Sequence, residues 1–227
     1  MTTVRITRQS LADGTMLERI RAFAKLNPDL MYRTEEEMAL LLEAALADHD
    51  PAEDLYVFGY GSLIWNPAFD FIAKLPATLH GWHRRFCFKT FAGRGTPANP
   101  GLLLALDHGG ACKGVAFRIG AANAREELGI LWRREMFGGA YNARWVKLKT
   151  AEGEKRALTF VCNRSHPRYL PEICVLETAA LIATGCGDLG SCREYLENTV
   201  EHLAELGMRD RGLQRIVNAL PTALPKP

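Results

Sequence analysis

A chain of 227 residues with 48% hydrophobic and 24% charged side chains holds enough apolar mass for one sizeable core, so one main domain with an appendage is expected. A formal net charge of +2 concentrates no field that would draw a polyanion, which argues against nucleic acid as a partner. The first residues lack an apolar signal region, and no run approaches the ~20 apolar residues that cross a bilayer, so the expectation is no membrane insertion and a cytoplasmic location.

The first fifty residues carry two amphipathic stretches, "TMLERIRAFAKL" and "TEEEMALLLEAALADHD", the second opened by the Thr34 and Glu37 capping-box pattern. Asn27 and Pro28 break the two apart, and Pro51 in "DHDPAED" marks a polar hinge. Residues 1–53 are therefore expected to form a helical extension and residues 54–227 the main domain. The apolar faces of the extension need cover, which favours packing on the main domain over an interface.

From Leu55 the pattern turns extended, with strands expected over 55–59, 78–89, 101–107 and 113–119, separated by Gly and Pro clusters such as "AGRGTPANPG". A helix over 121–137 stops at Gly138 and Gly139, residues suited to the left-handed conformation that ends helices. Strands over 144–150 and 155–162 follow, then helices over 172–184 and 191–206, the last opened by Ser191 and Glu194 and closed by Gly207. Strands first and helices late predict a mixed α/β (α+β) domain around a curved or closed sheet.

Cys87, Cys112, Cys162, Cys174, Cys186 and Cys192 include no C-x-x-C pair and read as buried or half-buried thiols. His80 and His83 in "LHGWH" lie three apart on a predicted strand, which sends them to opposite faces, so no metal site is expected.

Two features carry candidate chemistry. In "VFGYGSLIW", Gly59 and Gly61 flank Tyr60 at a strand end, where bare backbone lets the amides of Tyr60, Gly61, Ser62 and Leu63 converge on an anion, with the Ser62 hydroxyl beside them. The same glycines also suit a tight turn that merely lets two backbone segments approach. In "REELGILWRREMFGGAY", at roughly 100° per residue, Glu135 falls about 20° from Leu128, inside the apolar stripe, with Arg133 and Arg134 expected to project away. Loss of hydration there raises a carboxyl pKa toward the range of acid–base work. A Glu at a helix end that pairs with a facing Arg or caps an amide fits the same position.

The segments "VFGYGSLIW", "RRF", "GRGTP", "PG", "GVAFRI", "RREMFGGAY" and "REYL", in that order from about Tyr56 to Gly207, resemble the ChaC-like γ-glutamylcyclotransferases of the glutathione-specific kind. The resemblance implies a small β-barrel with surrounding helices and an amide-cleaving cyclisation that needs neither metal nor cofactor. The turn Val57, Phe58, Gly59, Tyr60, Gly61, Ser62 and Leu63 would bind the γ-glutamyl group, and Glu135 would act as general base. The implied substrate is glutathione or a related γ-glutamyl compound, giving 5-oxoproline and Cys-Gly.

Tyr141 and Tyr195 match family tyrosines and are expected either to offer hydroxyls to the site or to pack as aromatics. Arg84 and Arg85 alternate on a strand, so one faces inward; Arg85 is taken as a substrate contact. Two positions depart from the family pattern: "HPRYLPEI" lacks the glycine after Leu170, and Cys192 stands where Asn is common. Both bear on the far wall of the pocket and hence on the leaving half of the substrate. Cyclisation of other γ-glutamyl peptides or amines, and a non-catalytic γ-glutamyl-binding module, are the alternatives. Oligomeric state has no signature in the sequence.

Overall fold

Leu55, Val57 and Phe58 are wholly buried, which a strand achieves only when covered on both faces. That strand, β1 (Leu55–Gly59), lies within a closed five-stranded barrel of order β1-β3-β2-β4-β5. The other members are β2 (Ala73–Thr90), β3 (Gly101–Ile119), β4 (Tyr141–Thr150) and β5 (Gly153–Cys162). Neighbours in that order run antiparallel, and the barrel closes through parallel pairings of Val57 with Leu158 and Leu106 with Val161. The structure is a computed structural model and describes residues 4–25 and 32–221; Asn27 and Pro28 lie outside the described residues.

The long hairpin of β2 and β3 departs from expectation. The strands expected over 101–107 and 113–119 are one strand, and β2 begins at Ala73 instead of 78. Polar, glycine-containing "DHGGACK" reads as a break, yet it pairs with "LHGWH" of β2. Gly81, Gly109 and Gly110 take positive φ, and the register shifts between His80 and Trp82, so the ribbon bends without ending.

The helix expected over 121–137 is a 3-10 turn (Ala121–Asn123) leading into α4 (Ala124–Glu135), where the Met136 amide closes the last turn on the Trp132 carbonyl and Gly139 takes φ 67°. The extension contributes α1 (Arg8–Ala12), α2 (Thr15–Lys25) and α3 (Glu35–Leu46), with the Thr34–Glu37 capping box formed. Beyond the barrel come α5 (Val175–Thr184), a two-stranded β6–β7 (Cys186–Gly187, Gly190–Ser191), α6 (Cys192–Glu205) and α7 (Arg211–Ala219). Neither α1 nor α7 was expected. The α7 signal was present: Asp210 accepts hydrogen bonds from the amides of Gly212 and Leu213, and Leu213 and Ile216 bury one face.

Leu128, Leu131 and Trp132 of α4, with Met136 just past its end, pack with Val57, Phe117 and Phe160 of the barrel, and Leu17 and Met38 of the extension join this cluster. Each such fully buried side chain contributes roughly 1.5–3 kcal/mol. Trp132 Nε1 donates to the Met38 carbonyl at 3.0 Å, and Trp145 Nε1 to that of Ala45 at 2.8 Å, so the extension is tied down by polar contacts as well. A second cluster, Phe86, Leu102 and Leu104 with α5, α6 and α7, covers the opposite side. The six cysteines are free thiols, Cys174 and Cys186 exposed and the rest buried. Among the described residues no helix is long and apolar enough to cross a membrane.

Candidate active site

β1 ends at Gly59 because nothing larger fits: a Cβ there would lie 2.8 Å from Phe117 Cε2 and 3.0 Å from Leu63 Cβ. At Gly61 a Cβ would lie 3.0 Å from the Tyr195 hydroxyl. Close approach is thus one reason for the glycines. The chain then turns into a short 3-10 segment (Ser62–Ile64), with the Ile64 amide donating to the Gly61 carbonyl at 2.9 Å. The first amides of such a turn have no acceptor within it, so they are available to an anion. From below, the Tyr60 hydroxyl donates to the Phe160 carbonyl at 2.7 Å, and Arg84 Nη1 donates to the Tyr60 carbonyl.

Glu135, the last residue of α4, arrives opposite this turn with its side chain 13% exposed. Burial raises its pKa, and the Arg134 charge opposes part of that rise. Arg134 was expected to point away; instead its Nε lies 3.1 Å from Glu135 Oε1. The wheel fixes only where a side chain leaves the helix, and at the last turn a long guanidinium stem is free to fold back. Arg134 Nη2 also donates to the Ser62 hydroxyl at 2.8 Å, and Nη1 to the Asn66 carbonyl at 2.7 Å. The alternative reading of Glu135 as an ion-paired residue is therefore realised together with its placement in the site.

Tyr141, at the start of β4, donates its hydroxyl to the Leu104 carbonyl at 2.9 Å. Tyr195, on the second turn of α6, packs edge-on against Phe86 and Trp65, and burial, reinforced by the Glu135 charge, pushes its pKa up to about 12. It stays a neutral hydroxyl at any ordinary pH. Both rings pack edge-on against phenylalanines, Tyr195 on Phe86 and Tyr141 on Phe88, which is one of the two roles expected of them.

Tyr60, Gly61, Ser62, Leu63, Glu135, Tyr141 and Tyr195, with Leu104 and Phe160, enclose a cavity of about 20 Å³, the room of a single water. Ser62, Glu135, Tyr141 and Tyr195 also line an adjoining cleft of about 770 Å³. A compact polar group fits the inner cavity, and a larger appendage fits the cleft.

Not every expected residue reaches this place. Val57 and Phe58 are core side chains and contribute to the turn through backbone. Arg84 and Arg85 do take opposite faces, but neither lines cavity or cleft. Arg84 is held by Asp210 and the Tyr60 and Lys113 carbonyls, buttressing the turn from behind. Arg85 binds Asp107 at 3.0 Å and the Leu170 carbonyl at 2.7 Å. Asp107 is almost fully buried, and Arg164, the Tyr169 hydroxyl, the Cys162 thiol and the His108 amide also donate to it. Cys192 lies buried at the start of α6, its Sγ accepting from the Leu102 amide at 3.2 Å.

The extension forms one wall of the cleft through Ile6, Leu11, Met16 and Ile20. Asn66 Nδ2 donates to the Ile6 carbonyl at 3.1 Å, and Arg133 Nη1 donates to the carbonyls of Leu11 and Ala12 at 2.8 and 2.7 Å. Arg8 forms a fork on Glu127, which is 1% exposed and also accepts from the Asp70 amide at 2.8 Å. Nothing local in the sequence marks these contacts, since their partners lie far apart along the chain.

The family model described as ChaC-like protein matches residues 55–223. The chain belongs to the ChaC-like family. Among ChaC-like relatives, the glutathione-specific γ-glutamylcyclotransferase of Escherichia coli K12 is 39% identical over 197 residues, covering 86% of this chain and 85% of that protein. Human glutathione-specific γ-glutamylcyclotransferase 1 is 31% identical over 185 residues, covering 78% of this chain and 83% of its own length. In fold, a crystal structure of a glutathione-specific γ-glutamylcyclotransferase from yeast superposes with a TM-score of 0.66 at 22% identity, over 74% of this chain and 97% of that one. The ChaC-like match begins at the first barrel strand, and the E. coli relative matches more of the chain than the family model spans.

Proposed function

We propose that this chain is a glutathione-specific γ-glutamylcyclotransferase, a lyase that converts γ-glutamyl-Cys-Gly to 5-oxoproline and Cys-Gly. The observation that carries the reading is one nearly buried carboxylate, Glu135, with a raised pKa, sharing a single cavity with a glycine turn and the tyrosines Tyr60, Tyr141 and Tyr195.

This reaction asks little of a protein in covalent terms. The nucleophile, the α-amine, is part of the substrate, and its attack on the γ-carbonyl closes a five-membered ring. Folding the glutamyl group back on itself therefore supplies a high effective concentration. Glu135 takes a proton from the α-ammonium and the amine adds to the γ-carbon. The carbonyl π pair moves to oxygen and then returns, expelling the cysteine nitrogen as Glu135 gives it back a proton, and the ring nitrogen loses its second proton to the freed Glu135 carboxylate. The amides of the Gly61–Leu63 turn hold the glutamyl carboxylate, and Tyr195, which lines the same cavity, donates its hydroxyl to the developing oxyanion. The Arg134 charge opposes part of the rise that burial gives the Glu135 pKa, which favours the carboxylate as base. The buried free thiols fit the reducing environment of the cytoplasm, where we place the enzyme.

Incubation with reduced glutathione in water enriched in oxygen-18 tests this. Cyclisation releases 5-oxoproline and Cys-Gly, both unlabelled. Labelled glutamate, which requires water as nucleophile, or absence of any cleavage refutes the reading.

A further inference from the structure

Four arginines line the cleft beyond Glu135: Arg5, Arg94, Arg134 and Arg168. Arg94 is paired with Glu194 and the Ser191 carbonyl and lies over Trp65 and Tyr195. Arg134 is committed to Glu135 and Ser62. Arg5 is exposed. Arg168 differs from all three. It is half-buried, and among the described residues its side chain makes a single hydrogen bond, from Nη2 to the Gly138 carbonyl at 3.3 Å, and no carboxylate pairs with it.

A guanidinium offers five N–H donors, so most of those on Arg168 remain unused. Burial lowers its pKa. Withdrawing a cation from water without a counter-ion is costly, and the cost is recovered when an anion binds. The backbone beneath it is fixed: the Arg168 amide donates to His166 Nδ1 at 3.2 Å, and the Lys89 amide donates to the Arg168 carbonyl at 3.0 Å.

Its position suits one end of the substrate. The carbonyl that holds Arg168 belongs to Gly138, three residues past Glu135 across the turn that ends α4. From the scissile carbonyl to the carboxylate of a dipeptide leaving group is two residues of extended chain, roughly 7 Å. Arg168 lines the same cleft as Glu135, and its free donors are there for an anion that extends from the scissile bond into that cleft. Resting on the cyclotransferase reading, we propose that Arg168 binds the terminal carboxylate of the leaving dipeptide, so that the cleft selects γ-glutamyl dipeptides with a free carboxyl end over capped peptides and γ-glutamylamines.

The test compares glutathione with its C-terminal glycinamide, in the wild-type enzyme and in Arg168→Met and Arg168→Lys. A charge-assisted hydrogen bond of this kind supports a preference of roughly 10- to 100-fold in kcat/KM for glutathione over the amide. That preference falls toward unity in Arg168→Met and is partly restored in Arg168→Lys, while the amide is cleaved equally by all three. Equal cleavage of the two substrates by the wild-type enzyme overturns the inference alone, whatever the variants do. So does an Arg168→Met variant that loses the same factor on both substrates, the behaviour of a merely structural residue. Failure of the wild-type enzyme to form 5-oxoproline from either substrate overturns the cyclotransferase reading itself, and the inference with it.

Discussion

Arg134 joins the carboxyl group of Glu135 to the glycine turn: its Nε lies 3.1 Å from Glu135 Oε1, and its Nη2 donates to the Ser62 hydroxyl at 2.8 Å. The cation opposes the upward push that burial gives Glu135. Replacing it with Met removes that opposition, so the Glu135 pKa rises further. The acidic limb of the kcat/KM profile for glutathione should move to higher pH in Arg134→Met, with a fall in kcat/KM at neutral pH. An unmoved limb means that this pair does not set the ionisation of the base.

Glu135 also links activity to stability. Its folded pKa lies above the unfolded value, so the folded state favours the protonated form. Relative to the protonated state, stability declines as pH rises from the ordinary carboxylate range through the folded pKa. Glu135→Gln mimics the protonated form without ionising. It should melt higher than the wild type at pH 7, and the gain should vanish below the ordinary carboxylate pKa. Thermal melts across pH check this, and a variant that is less stable at pH 7 contradicts it.

Glu127 behaves in the opposite way. Burial pushes its pKa up, but the hydrogen bonds from Arg8 and the Asp70 amide outweigh this and hold it below the ordinary value. Its contribution to stability is therefore present above the unfolded pKa and lost as pH falls through the folded one. Arg8→Ala leaves a carboxylate that is 1% exposed without its counter-ion. The cost should be about 2–4 kcal/mol, below that of a wholly buried pair because the Arg8 side chain is 33% exposed. Denaturant unfolding measures it, and a change under ~0.5 kcal/mol means that the extension is not anchored there.

Gly59→Ala forces a methyl group against Phe117 and Leu63 in the packed core. Such overpacking costs about 1–3 kcal/mol. The same shift displaces the turn that lines the cavity, so kcat/KM for glutathione should fall together with the melting temperature. A variant with wild-type melting temperature and activity shows that Phe117 and Leu63 yield freely.

Much of this site was legible in the chain itself because it rests on short-range rules. Helical spacing puts Glu135 inside an apolar stripe, and two glycines around Tyr60 mark bare backbone at a strand end. The hidden parts are those that depend on distant partners or on flexible reach. Gly59 answers to Phe117 and Gly61 to Tyr195, contacts that no local pattern encodes. Arg134 turned back because helix geometry directs Cβ, not the tip of a long side chain. Arg85, read correctly as facing away from Arg84, was claimed by buried Asp107 rather than by the cleft. The β2–β3 ribbon reads as three pieces with breaks because its glycines bend strands in the same way that they end them. The extension's share of the cleft wall rests on single carbonyls, of Ile6, Leu11 and Ala12, which have no sequence signature at all.

The most direct test of the central claim is the rate of 5-oxoproline release from reduced glutathione by wild-type and Glu135→Gln proteins of matched fold, judged by circular dichroism. Loss of the proton-transfer group should lower kcat by roughly 10²- to 10⁴-fold with little change in substrate binding. Wild-type turnover by a folded Glu135→Gln protein would contradict the account.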